Sequence, residues 1–353
     1  MKDEVIIHIG LHKTGTTTIQ KFMYENKNSI SNYEFVCRDK NGIDRTDGNS
    51  YFLLDTSDFH KEESRKFNLD IHTLISNVRH SNRNSVIIST EAFSWISDIG
   101  ELSKLKDELY KVAKKVTIIC YVRKLIDFSK SVYSEACKPL NTLSSLHEFR
   151  YMPFDLRLLN NDFIKNYYTY NNLVVWKEVF RDSNVIMRPF NKLEWVYENL
   201  IVDFLSCINV KDDNLLSKAL VYQSSNKSLS KLQIIYMATV KRVFNKFSIK
   251  KKHYFESLLF RNIEFLKTTD SYCFNMSDAI KFQNHIKNEL DSNEKIIGLS
   301  LMNEFDRALE NRADIIEMLK VIDVVKLLVY GAYSFLLISF AMTKYAFIRF
   351  LKI

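Results

Sequence analysis

The sequence predicts an α/β fold, with a parallel sheet flanked by helices and a helical C-terminal part. Three observations lead there. Short apolar runs at about 4–9, 84–90, 116–122 and 184–188 read as strands buried on both faces. Helical patterns separate them, over 14–28, 101–115, 126–137 and 191–208. From about 211 onward the strand signal stops, and apolar residues recur at helical spacing among many charges. Strands alternating with helices argue for crossovers in an open parallel sheet, where ligands collect beyond the carboxyl ends of the strands.

The first strand runs into the most informative stretch, Val5-Ile-Ile-His-Ile-Gly-Leu-His-Lys-Thr-Gly-Thr-Thr-Thr-Ile-Gln20. A strand, a glycine-bracketed turn rich in hydroxyls and a helix bring backbone N–H groups and a helix N-terminus to one point, which suits an anion. Gly10 and Gly15 match the glycines of the triphosphatase loop G-x-x-x-x-G-K-S/T, so the core is expected to be P-loop-NTPase-like. The lysine of that pattern is missing, because position 16 is Thr, and Lys13 precedes the second glycine. The loop should hold a phosphate without being a Mg-ATP phosphoryl-transfer site. A Thr-rich helix cap beside a solvated lysine is the plainer reading.

The strand at 84–90 leads into Glu91, a carboxylate at a strand end that can act as general base toward an acceptor hydroxyl. It also reads as a helix-start glutamate paired with a lysine. After 116–122 comes Arg123, with Ser131 eight residues on and Ser129 between them. A guanidinium and a hydroxyl so placed can converge on one phosphate. His8 reads as a core histidine, and His12 as a turn cap or an anion contact. Arg188 and Asn226 are candidate site-lining residues that are more often structural. The aromatic stretch 151–180, with Tyr167, Tyr168, Tyr170 and Trp176, reads as core packing before a sugar platform.

The expected organisation is an α/β core over 1–210, a helical extension over 211–322 and a hydrophobic, basic segment over 323–353. Leu327 to Thr343 carries no charge, and Lys344, Arg349 and Lys352 follow it. The run is slightly short for a bilayer core of about 30 Å. Cations beyond it suit an interfacial helix on anionic headgroups better than a span.

The net charge of +8 over 353 residues favours anionic ligands. The basic residues are dispersed, and no nucleic-acid-binding signature appears, so a nucleic-acid partner is not expected. Five cysteines at irregular spacing, with no C-x-x-C pair and no leader-like start, predict a reduced cytoplasmic location and no structural zinc.

Lys13 followed by Thr14-Gly15-Thr16-Thr17, then Arg123 with Ser131, resembles the sulfotransferases that use 3′-phosphoadenosine 5′-phosphosulfate (PAPS), in particular bacterial carbohydrate-modifying members. The resemblance covers roughly 4–230. It implies that Lys13 contacts the oxygen bridging phosphate and sulfate, and that Thr14, Gly15, Thr16, Thr17 and Thr18 hold the 5′-phosphate. It further implies that Arg123 and Ser131 hold the 3′-phosphate, and that Glu91 is the base, with Glu34 as its rival. PAPS is then a co-substrate and no metal is needed. The implied acceptor is a carbohydrate of an envelope glycan or glycolipid, met at the inner face of the cytoplasmic membrane through peripheral contact by 327–353. A P-loop kinase and a non-catalytic, membrane-associated nucleotide-binding protein are the alternatives.

Overall fold

The computed structural model describes residues 1–39, 41–55, 68–139, 154–222, 229–246, 252–261, 263–267, 276–303 and 330–333. The chain divides into two units. The first comprises Met1–Phe128, Leu159–Asn226 and Ile286–Asn303; the second comprises Ser129–Leu158, Lys227–His285 and Glu304–Ile353.

The first unit is built on strands β1 (Lys2–Gly10), β2 (Tyr33–Phe35), β3 (Leu54–Asp55), β4 (Asn68–Leu69), β5 (Ser85–Thr90), β6 (Ala113–Val122) and β7 (Asn184–Pro189). Among the described residues, five of these form one sheet in the order β2-β5-β1-β6-β7, and every pairing in it is parallel. The α/β class expected from the sequence is the one observed. β3 and β4 form a separate two-residue antiparallel ribbon.

β1 is central because it can be: Val5, Ile6, Ile7 and Ile9 are all buried, as a strand covered on both faces requires. Helix α1 (Thr16–Glu25) lays Ile19, Phe22 and Met23 onto one face. There they join Ile6, Ile87, Ile119 and Tyr121 of the sheet and Ile201, Phe204 and Leu205 from helix Leu200–Cys207. Each such fully buried side chain contributes about 1.5–3 kcal/mol of transfer free energy. Helices α2 (Ile71–Arg79) and α3 (Ile99–Val112) pack on each other and against β1 and β6, apart from that cluster. Asp70 and Asp98 cap them, each accepting a hydrogen bond from a first-turn amide.

The helix expected over 191–208 forms only at Leu200–Cys207. Before it come two short 3-10 turns, with Tyr197 and Glu198 at positive φ. Asn199 explains the late start, since its side chain accepts from the amides of Ile201 and Val202.

Helix α4 (Leu125–Ala136) starts in the first unit and continues into the second. The described residues after 211 are helical or irregular, with no strand among them. In the second unit Lys241 and Glu256 form an ion pair whose side chains are almost wholly buried. Lys241 Nζ also donates to the Lys138 carbonyl just beyond α4, at 2.8 Å.

Candidate functional site

Parallel register brings four strand ends to one edge of the first unit. Ile9 pairs with Thr90 and Gly10 with Tyr121, while Val122 pairs with Pro189. The loop after β1, Glu91 after β5, Arg123 after β6 and Phe190 after β7 therefore emerge together.

The loop itself is tightly made. A Cβ at Gly10 would lie 2.5 Å from Thr16 Oγ1, and one at Gly15 only 2.2 Å from Leu200 Cδ2. Gly15 has φ +74° and is the N-cap of α1, so no side chain caps that helix. Lys13 also has positive φ, at 65°, a backbone state that costs a non-glycine residue about 1 kcal/mol or more. Left-handed residues ahead of an uncapped helix turn peptide N–H groups toward one concavity, as in anion-binding nests. The hydroxyls divide in two. Thr14 Oγ1 donates to the Leu11 carbonyl at 2.6 Å and Thr16 Oγ1 donates to the same oxygen at 3.5 Å; both side chains are buried. Thr17 and Thr18 are half-buried.

Arg123 reaches this loop directly. Its Nη1 donates to the Lys13 carbonyl at 3.3 Å, and its guanidinium lies 5.4 Å from the Phe190 ring centre. The Tyr170 hydroxyl donates to the Arg123 carbonyl at 2.6 Å and fixes the strand exit. Burial works against the charge of Arg123, which Asp127 partly offsets. A cation held in such surroundings favours an anionic ligand.

Glu91 opens a short 3-10 turn, Glu91–Trp95, capped by Thr90, whose Oγ1 accepts from the Ala92 amide. One carboxylate oxygen, Oε2, accepts from Asn49 Nδ2 at 2.8 Å and from Gln20 Nε2 at 3.4 Å. Desolvation pushes the Glu91 carboxyl above its ordinary range. Its own amide, Gln20 and Asn49 pull the other way, and Asp47 adds to the rise. A carboxylate held high is a better proton acceptor than a solvated one. Beside it, the His12 imidazole stacks on Trp95 with ring centres 4.9 Å apart, and its Nδ1 meets the Tyr167 hydroxyl at 2.9 Å.

The other sequence candidates fall elsewhere. Glu34 is aligned with Val86 near the start of β5, not at the carboxyl edge. Desolvation acts on it most strongly, but Ser81, the Asn82 amide and Arg38 together hold its carboxyl below the usual range. Arg188 pairs with Asp203, Nε to Oδ2 at 3.1 Å, and its role is structural. Ser129 and Ser131 lie further along α4, in the second unit, Ser129 buried and Ser131 half-buried. Tyr167, Tyr168, Tyr170 and Trp176 are buried core residues and present no face for a sugar. His8 is buried as expected, with Nδ1 2.8 Å from Ser89 Oγ. Asn226 and most of 323–353 lie outside the described residues; Tyr330–Tyr333 is a helical turn. Among the described residues no helix is long and apolar enough to cross a membrane.

Gln20 and Asn49 were not legible as site residues. Gln20 did carry a signal, as a polar residue among Ile19, Phe22 and Met23 on the buried face of α1. Asn49 carried none.

No family model matches this chain. It is similar to an uncharacterized protein of Archaeoglobus fulgidus, 27% identical over 217 residues, which are 60% of this chain and 52% of that protein. The chain thus spans about half the length of that relative. No solved structure matches.

Proposed function

We propose that this protein transfers a sulfuryl group from PAPS to a hydroxyl or amine of a carbohydrate acceptor, an envelope glycan or glycolipid. One observation carries the reading. Lys13 and Arg123 flank an uncapped helix N-terminus, and Glu91 emerges from the adjacent strand end at the same sheet edge.

The residues fit such a co-substrate. The first-turn amides of α1, with the Thr17 and Thr18 hydroxyls, would bind the 5′-phosphate. Thr14, Gly15 and Thr16 would contribute backbone and shape, since the Thr14 and Thr16 hydroxyls are turned inward. Arg123 would pair with phosphate bidentately, and by the family resemblance that is the 3′-phosphate. Glu91 would take the acceptor proton as the acceptor oxygen bonds to sulfur. The bond from sulfur to the bridging phosphate oxygen breaks, and Lys13 would stabilise the charge left on that oxygen. The fixed cation supplies what a metal supplies in phosphoryl transfer. A lipid-linked acceptor would be met at the inner face of the cytoplasmic membrane, with 327–353 lying on the headgroups.

Labelled-sulfate transfer from PAPS to glycans and glycolipids extracted from the source cells tests the proposal. Lys13→Ala and Glu91→Gln should each lower transfer by roughly 100-fold or more, with the circular dichroism spectrum unchanged. Near-normal turnover by Glu91→Gln would refute the assignment of the base.

A further inference from the structure

We infer that Gln20 and Asn49 are positioning residues that anchor one oxygen of Glu91 and leave the other, Oε1, to take the substrate proton. This rests on the reading of Glu91 as the base. Both amides donate to Oε2, from α1 on one side and from the loop before Tyr51 on the other. Among the described residues no side chain donates to Oε1; the carboxylate's remaining donor is Glu91's own amide. Two donors on a single oxygen fix the carboxylate plane and make its oxygens inequivalent, as a base aimed at a single proton needs.

Two independent features show that these orientations are imposed. The first is a chain of polar side chains beneath the site. Gln20 Nε2 also donates to Ser89 Oγ at 3.2 Å, and Ser89 Oγ stands 2.8 Å from His8 Nδ1. Burial keeps His8 neutral. Ser89 Oγ accepts from Gln20, and a flipped Gln20 would turn its amide oxygen onto the Glu91 carboxylate. The second is Asn49 Oδ1, which is buried and has no partner among the described residues. An amide would normally rotate to relieve that cost. Asn49 does not, because its N–H group is held by Glu91.

Among the described residues the charged and titratable groups around Glu91 are Asp47 on the loop of Asn49, His12 and the Tyr167 bonded to it, and His8 at the far end of the polar chain. Asp47 disfavours the ionised carboxylate. Tyr167 and His8 stay neutral. Gln20 and Asn49 are the side chains that donate to the ionised form.

The test uses the full-length protein with Gln20→Met and Asn49→Leu made singly. Infrared difference titration follows the Glu91 carboxyl band, recognised by its loss in Glu91→Gln. Removing either donor should raise the apparent pKa of that band by about one unit, since a hydrogen bond to a charged group is worth roughly that much. The acid limb of kcat should move up equally, giving about ten-fold slower transfer on that limb, with KM for PAPS unchanged. Ser89→Ala removes one hydroxyl and should shift the band the same way by less, which keeps the test open if a larger change fails to fold. A band that titrates as in the unsubstituted protein in both donor variants overturns the anchoring. Absence of transfer by the unsubstituted protein, with the band shift present, overturns the base assignment and leaves the anchoring standing.

Discussion

His8 makes the first unit acid-sensitive by an amount that can be worked out. It lies in the central strand, 1% exposed, packed against Tyr121 and Phe204 with Ser89 at its Nδ1. Desolvation lowers its pKa from 6.5 to about 3. A group depressed on folding adds stability that is fully present above its unfolded pKa and is lost as pH falls toward the folded one. Between those two values each pH unit removes about 1.4 kcal/mol. From pH 7 to pH 5 the loss is therefore about 2 kcal/mol, or roughly 4–8 °C in Tm for a domain near 200 residues. The assay is urea unfolding of the unsubstituted protein and of His8→Gln at both pH values. Comparing the two proteins cancels every other titrating group. The unsubstituted protein should lose about 2 kcal/mol more than His8→Gln over that interval. Parallel losses would refute the claim that His8 is buried and neutral.

Two further expectations follow from the same structure. Arg188→Met strips the cation from Asp203, whose side chain is 1% exposed, while Tyr121 and the Val196 amide keep donating to it. Stability should fall by about 2–3 kcal/mol in urea unfolding, with nucleotide affinity of the folded protein unchanged; weakened binding at unchanged stability would make Arg188 a ligand contact after all. Removing 324–353 should shift the protein from the membrane pellet to the soluble fraction of lysed cells, and unchanged partitioning would end the interfacial-helix proposal.

Much of the fold was legible because it is local. The apolar run of β1, the glycines of the loop and the residues just past β5 and β6 are each read from a few neighbouring positions, and parallel register then aligns them. What escaped is non-local. Glu91 meets Gln20 and Asn49 across 71 and 42 residues of sequence. Tyr33–Phe35 is a three-residue edge strand, too short to show a pattern. Residues 191–208 have helical spacing, but positive φ at Tyr197 and Glu198 and the Asn199 cap delay the helix. Arg188 resembled a site residue until Asp203, on helix Leu200–Cys207, accepted from its Nε and Nη2. The inward turn of the Thr14 and Thr16 hydroxyls depends on where the Leu11 carbonyl points, which residue types do not reveal.

Calorimetric titration with 3′-phosphoadenosine 5′-phosphate, AMP and ATP tests the central proposal most directly. A site built from the α1 amides, Lys13 and Arg123 for a nucleotide with separate 5′ and 3′ phosphates should bind 3′-phosphoadenosine 5′-phosphate at least about 100-fold more tightly than AMP or ATP, and Arg123→Met should abolish that preference. Equal affinity for the three, or tighter binding of ATP, would contradict it.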